Sequence, residues 1–334
     1  MIGFKGLNTG VSGIFSPMYP MRWEDSRARI EDVHEMRTDN LVGIHVTRSV
    51  AEALDYSPHV FIVRGYGKVM VHENGFRAEE AEIVAYLDLA DEVPSIVRWM
   101  NIPVVEPKHL AEFDVDWISA GDSRIVDGDN VIIFGEEGHV FISEGEGMGN
   151  VKKIVVTRAV SRLTVFTPTT VHVAKNGYVG EIEHVCPTWD EYKIVVHGKA
   201  DLIRALAARN EVEMAGASAR SILIRGSLGR GGQAILNIMN STVDKIYIDN
   251  STVDYIAIGG SKIGSLHMRL CTATDIDIHR SVADQITLDC AAVEALYVSE
   301  SSEVGTLKMR CASVLNLHDP NSRIGRKEIK KGDL

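Results

Sequence analysis

The sequence predicts a mainly β protein: a parallel β-solenoid of about ten residues per repeat unit, led by an α+β N-terminal domain and interrupted by one helix. The first observation behind this is a repeated order between Val243 and Leu317: an apolar residue, two variable positions, an apolar residue, one variable position and a third apolar residue. Val243, Ile246, Ile248 open the series, and Val253, Ile256, Ile258, then Ile263, Leu266, Met268, then Ala273, Ile276, Ile278 follow in step. Ala283, Ile286, Leu288 and Val293, Leu296, Val298 continue it; an inserted residue then shifts the phase before Val304, Leu307, Met309 and Val314, Leu317. Residues two apart share one face of a strand, so each unit is a short strand with one buried face. A helical period near 3.6 would scatter these positions. The second observation is a small residue before each unit (Ser241, Ser251, Ser261, Cys271, Ser281, Ala291, Cys311), where a tight corner leaves little room. No unit buries its apolar edge alone, so the units stack. Two units make one coil of roughly twenty residues, because about ten hardly enclose a core at a strand rise of ~3.3 Å.

The chain of 334 residues divides into residues 1–119, 120–318 and 319–334. In the first part, Ser49 and Glu52 have the spacing of a capping box, and Val50, Ala51 and Leu54 give the following helix an apolar side. His59 to Arg64, Gly65-Tyr66-Gly67 and Lys68 to Val71 read as a β-hairpin, and Glu82 to Leu87 as a further strand. Pro94 to Met100 and Pro107 to Phe113 are short helix candidates, each opened by proline.

In the second part, Asn130 to Phe134 and His139 to Ser143 read as a hairpin across Gly135 to Gly138. The repeat spacing then appears at Val151, Ile154, Val156 and at Val160, Leu163, Val165, so the solenoid is expected to begin near Val151. Strong helix formers between Asp201 and Arg209 predict a helix near residues 200–209, lying outside the stack or covering one end. The charged tail, 319–334, is expected to be loose.

Composition narrows the function classes. Hydrophobic content of 45% and charged content of 24% are those of an ordinary globular protein, and the low aromatic content of 6% suits a stack built on Ile, Val, Leu and Ala. A net charge of -11 argues against nucleic acid as partner, which needs a basic face. The start Met1 to Lys5 has no basic segment followed by an apolar run, so no signal peptide is expected, and no stretch is long enough to span a bilayer. Four scattered cysteines, Cys186, Cys271, Cys290 and Cys311, make neither a disulfide scaffold nor a zinc site and suit a reducing interior. Asp244, Asp254, Asp284 and Glu294 recur after the first apolar position of their units; calcium ligation and corner hydrogen bonding are both open to them, but Gly264 and Thr274 interrupt the series, and no metal site is expected. The glycine-rich Gly226 to Gly232 follows a strand but leads into strands, so a flexible corner fits it better than a phosphate loop.

Two resemblances bear on activity. Phe4-Lys5-Gly6, then Gly43-Ile44-His45-Val46-Thr47-Arg48-Ser49 before a helix, then Glu79-Glu80-Ala81-Glu82-Ile83-Val84 resemble, in that order, the parts of ADP-ribosyltransferases. That resemblance implies NAD as cofactor, Glu82 as the glutamate that bonds the nicotinamide ribose and steadies the cationic transition state, Glu80 as its partner, and Lys5 and His45 at the cofactor. Lys5 stands where that family has arginine or histidine. Read as residues alone, Glu79 to Glu82 is a solvated charged edge and His45 a strand histidine.

The Phe4-Lys5-Gly6 start, Gly43-Ile44-His45 before a helix containing Tyr56, and the C-terminal decapeptide-like repeats also resemble a family of bacteriophage-encoded proteins of uncharacterised function. That implies phage or prophage origin and a place in the host cytoplasm or the virion. The expected function is a phage-associated structural or interaction protein without a cofactor, whose rigid solenoid presents or multimerises the N-terminal module through a protein partner or self-association. The alternative is an NAD-dependent ADP-ribosyltransferase carried on a solenoid spacer.

Overall fold

A computed structural model describes all residues except 11–12, 16–21, 24–25, 30–42, 90–92, 114–117, 121–122, 144–150, 187–192, 208, 227–231, 300, 321–322 and 331–334. It contains two compact units, Met1–Glu136 with Lys153–Arg158, and Glu137–Lys152 with Ala159–Leu334. The first therefore extends beyond the expected boundary at 119.

The first unit is built on strands β1 (Ile2–Gly6), β2 (Asn8–Gly10), β3 (Gly13–Phe15), β4 (Arg22–Trp23), β5 (Arg27–Arg29), β6 (Ile44–Thr47), β7 (Val60–His72) and β8 (Gly75–Leu87), with helix α1 (Val50–Tyr56) between β6 and β7. β8 pairs with β6, β6 with β1, β1 with β7, and β7 again with β8, so the sheet closes on itself. Phe61, Val63, Phe76, Ala78 and Tyr86 share its buried apolar cluster with Trp23. The hairpin expected to turn at Gly65 to Gly67 turns instead at Glu73-Asn74. Gly65 pairs with Ala81, and Gly67, at φ +69°, forms a bulge with Lys68 within β7, between Tyr66 and Val69.

Helix α2 (Ser95–Trp99) falls where Pro94 to Met100 predicts one, whereas Pro107–Phe113 forms a 3-10 helix. Beyond α2 come β9 (Val104–Val105), β10 (Ile118–Ala120), β11 (Arg124–Asp127) and β12 (Asn130–Ile133). The expected hairpin across Gly135 to Gly138 does not form: β12 turns back on β11 through Gly128-Asp129, and Glu137–Ile142 pairs in parallel with Ala159–Val165. Parallel stacking begins with β12 on Lys153–Val156, a coil earlier than Val151 suggests.

The chain is mainly β, its parallel sheets forming a solenoid of about 10 turns roughly 20 residues apart. In the second unit, Thr242–Asp249, Lys262–Arg269, Val282–Asp289 and Glu303–Arg310 stack in one sheet, and Ser251–Gly259, Thr272–His279 and Ala292–Val298 in the other. The register runs Val243, Ile263, Ala283 and then Val304, so a coil contains two repeat units and the inserted residue lies in the last step. Ile246, Ile256, Leu266 and Ile276 are each 0% exposed, as a dry interior between two sheets requires.

The helix expected near 200–209 is absent. Lys199–Ala205 and Arg209–Ala215 are strands, the first placing Ala200, Ile203 and Ala205 in register over Val179, Ile182 and His184. The tail also differs from expectation. Ile324–Lys330 forms the last strand, on Glu303–Arg310. There Lys327 takes the place that Leu307 holds one coil before, and its Nζ lies 3.3 Å from Asp319 Oδ2. Asp319 Oδ1 accepts the Arg323 N–H at 2.6 Å. A charge in a core column blunts an open sheet end against further pairing.

The corners explain the small residues. Asn240, Asn250, Leu270, Arg280, Cys290 and Cys311 adopt φ between 47° and 51°, and Gly260 adopts 60°. Ser241, Ser261 and Ser281 follow such residues and form a buried ladder: Ser241 N–H donates to Ser261 Oγ at 3.0 Å, Ser261 N–H to Ser281 Oγ at 3.0 Å, and Ser281 N–H to Ser302 Oγ at 3.3 Å. Each hydroxyl donates in turn to a backbone carbonyl, as Ser261 Oγ does to Gly259 O at 2.9 Å. Serine serves here as donor and acceptor as well as for its size. Cys311 stands in the positive-φ column with Cys290, and not among the small residues that follow it.

A second ladder runs along the outside: Arg225, Asp249, Arg269, Asp289 and Arg310 occupy successive rungs of one column. Arg269 grips Asp249 through Nε at 2.8 Å and Nη2 at 2.9 Å, and Arg310 Nε reaches Asp289 at 2.8 Å. Both carboxyls lie below the usual range, held there first by the arginine hydrogen bond. Single surface pairs contribute only ~0–1 kcal/mol each, so the ladder acts chiefly on register.

Candidate functional site

The structure brings Lys5 and His45 together. Lys5 on β1 donates from Nζ to the His45 carbonyl at 2.6 Å. Burial, and then the Arg77 charge, draw the Lys5 pKa down to about 8. His45 on β6 stacks on His72 with centroids 5.1 Å apart. Burial first, then Lys5, Arg77 and His72, pull its pKa to about 4, so the imidazole is neutral at pH 7. Burial thus leaves part of the Lys5 amine uncharged near neutral pH.

The Lys5 amine is accordingly expected to titrate near 8, followed through its 13Cε shift against pH; a midpoint at the ordinary 10.5 would mean that water reaches it.

Glu82 and Glu80 lie elsewhere on β8. His45 sits opposite Arg77, and Glu82 lies five residues further on, roughly 17 Å along the strand. Glu82 Oε1 accepts from Arg27 Nη2 at 3.1 Å, and Oε2 accepts the Tyr66 hydroxyl at 2.6 Å. These bonds, Tyr66 first, lower its pKa. Both oxygens are thus engaged within the sheet, while Glu80 lies in register with Arg29 of β5 and Tyr66 of β7.

A third group was not foreseen. The Ser49 to Glu52 cap forms, with Glu52 N–H donating to Ser49 Oγ at 3.2 Å. The Glu52 carboxylate, however, accepts from Thr47 Oγ1 at 2.6 Å, and Thr47 Oγ1 accepts the Ser49 N–H at 3.0 Å, so the capping box closes through Thr47. Ser49 Oγ donates onward to Asp127 Oδ2 at 2.7 Å, which also accepts the Val50 N–H at 3.0 Å. Asp127 is 7% exposed, and burial raises its pKa against the pull of those bonds. A cavity of about 360 Å³ opens here, lined by Arg48, Glu52, Glu73, Asp127 and Lys153 among others. Lys153 Nζ is paired with Asp55. Among the described residues, Ser49 bonds a carboxylate and the backbone at the start of α1, and these bonds fasten that helix end. Only the cap was legible beforehand, since Asp127 is distant in sequence.

The recurring carboxylates fall in two columns. Asp244, Gly264 and Asp284 follow one another in one sheet, and Asp254, Thr274 and Glu294 in the other, so the carboxylates of a column are two coils, roughly 10 Å, apart. Calcium needs its oxygens within about 2.6 Å of one point. Among the described residues no three His, Cys, Asp or Glu could hold a metal ion. Most of the glycine-rich corner, 227–231, lies outside the described residues. No helix among the described residues is long and apolar enough to cross a membrane.

Comparison with family models, curated proteins and solved structures gives no match.

Proposed function

We propose that this is a phage-associated structural or interaction protein, in which the solenoid serves as a rigid column that presents the N-terminal module to a protein partner. The phage assignment rests on the likeness of Phe4-Lys5-Gly6, Gly43-Ile44-His45 and the repeats to that family. The structural role rests chiefly on one observation: the serine and charge ladders join coil to coil, and the last coil ends on Lys327 in a core column. A charged rung at that sheet edge disfavours further pairing, which suits presentation better than end-to-end growth.

The test is the mass in solution by light scattering over a range of concentration. The wild type is expected to hold a constant mass, and Lys327→Leu to gain mass as concentration rises, because an aliphatic residue completes the open column. Growth of the wild type to the same extent as the variant would overturn the reading. Incubation with labelled NAD tests the alternative, and turnover lost in Glu82→Gln would replace a structural protein with a transferase.

A further inference from the structure

Cys290 and Cys311 occupy equivalent corners of adjacent coils. Both adopt the left-handed conformation, with φ of 48° and 47°, so the two backbones aim their side chains alike. Their coils are directly bonded: Cys290 N–H donates to Arg310 O at 2.8 Å, and Asp289 pairs in register with Arg310. Stacked strands place such residues about 4.8 Å apart, inside the roughly 4.4–6.8 Å over which a disulfide spans two Cα atoms. Both residues are exposed, whereas Cys186 and Cys271 are buried. The same column holds Asn250 and Leu270 in earlier coils, so the corner itself does not demand cysteine.

We propose that Cys290 and Cys311 are a redox modification site, closing to a disulfide that staples the last coil to the one before it. The oxidant is a small-molecule disulfide. One thiolate attacks a sulfur of that molecule, forming a mixed disulfide and releasing one small thiol. The second thiolate then attacks the protein sulfur of the mixed disulfide, forming the Cys290–Cys311 bond and releasing the other small thiol. Two protein thiols are oxidised and one disulfide is reduced to two thiols. Partial desolvation first, and then the neighbouring Cys311 thiol, raise the Cys290 pKa, so closure is faster at alkaline pH.

The experiment treats the full chain with oxidised glutathione and reads intact mass and non-reducing peptide maps. The expected product has lost two hydrogens, carries no glutathione and joins the Cys290 and Cys311 peptides, while Cys186 and Cys271 stay reduced. Cys290→Ser and Cys311→Ser, each checked by circular dichroism, should instead retain one bound glutathione. Amide exchange in Glu303–Arg310 and Ile324–Lys330 should slow by roughly tenfold or more in the oxidised form. A wild type carrying glutathione on both thiols, a bridge between molecules, or unchanged exchange would overturn the proposal.

Discussion

Acidification from pH 7 to pH 4 is expected to loosen the coils around His184 by ~3 kcal/mol. His184 stands in an inward column between Val165 and Ala205, is 0% exposed, and donates from Nε2 to the Thr169 carbonyl at 2.9 Å. Burial holds its pKa at about 4 against an ordinary 6.5. The opened chain binds a proton as pH falls through 6.5 while the folded coil declines one until about 4, so stability is complete above 6.5 and drains away between the two values. A stack of coils opens locally, so the measurement is amide exchange in Tyr178–His184 and its neighbours against pH. His184→Leu should flatten that profile; a variant that keeps the wild-type slope would place its origin elsewhere, as in His45.

Ser261→Ala is expected to cost about 1–3 kcal/mol, the range for a buried donor left without an acceptor. The methyl group fits the corner, so the loss isolates the hydrogen bond from Ser241 N–H and those that Ser261 Oγ gives to Ile238 and Gly259 carbonyls. Cys271→Ala at the opposite corner should cost less, because a thiol is a weak donor to the Ile248 and Arg269 carbonyls that it reaches at 3.4 and 3.0 Å. Equal losses in the two variants, read from the same exchange experiment, would show that corner size alone matters.

Much of the solenoid was legible because its signal is positional: three apolar residues at fixed spacing decide which side chains face inward whatever lies between them. The misread segment shows the same rule. Asp201 to Arg209 favours a helix by residue type, yet Ala200, Ile203 and Ala205 carry the solenoid spacing, and neighbouring strands on both sides outweigh intrinsic preference. The tail misled for the opposite reason: Lys327 breaks the apolar rule in a strand that nonetheless pairs in register with Glu303–Arg310. In the first unit, Gly65 to Gly67 has the composition of a turn, and only the pairing of β7 with β8 shows a bulge at Gly67 and Lys68 inside one long strand. Candidate chemistry was least legible. The contact of Lys5 with the His45 carbonyl needs two strands brought side by side, and the Ser49 to Asp127 bond joins residues 78 apart.

Alternation in the outer column has a bearing on how such a molecule changes length. Arg225, Asp249, Arg269, Asp289 and Arg310 reverse sign at every step, and Asp244, Gly264, Asp284 and Gly305 alternate bulk in a column at the other end of the same strands. At Gly264 an added Cβ would meet the Asp244 carbonyl at 2.5 Å. The interior repeats at 243, 263 and 283, each step being twenty residues, but sign and bulk recur only after two steps, or forty. Excising a single coil would set arginine against arginine or aspartate against aspartate, whereas excising a pair restores both patterns. In charge and bulk, the repeating period of these columns is therefore a doublet of coils.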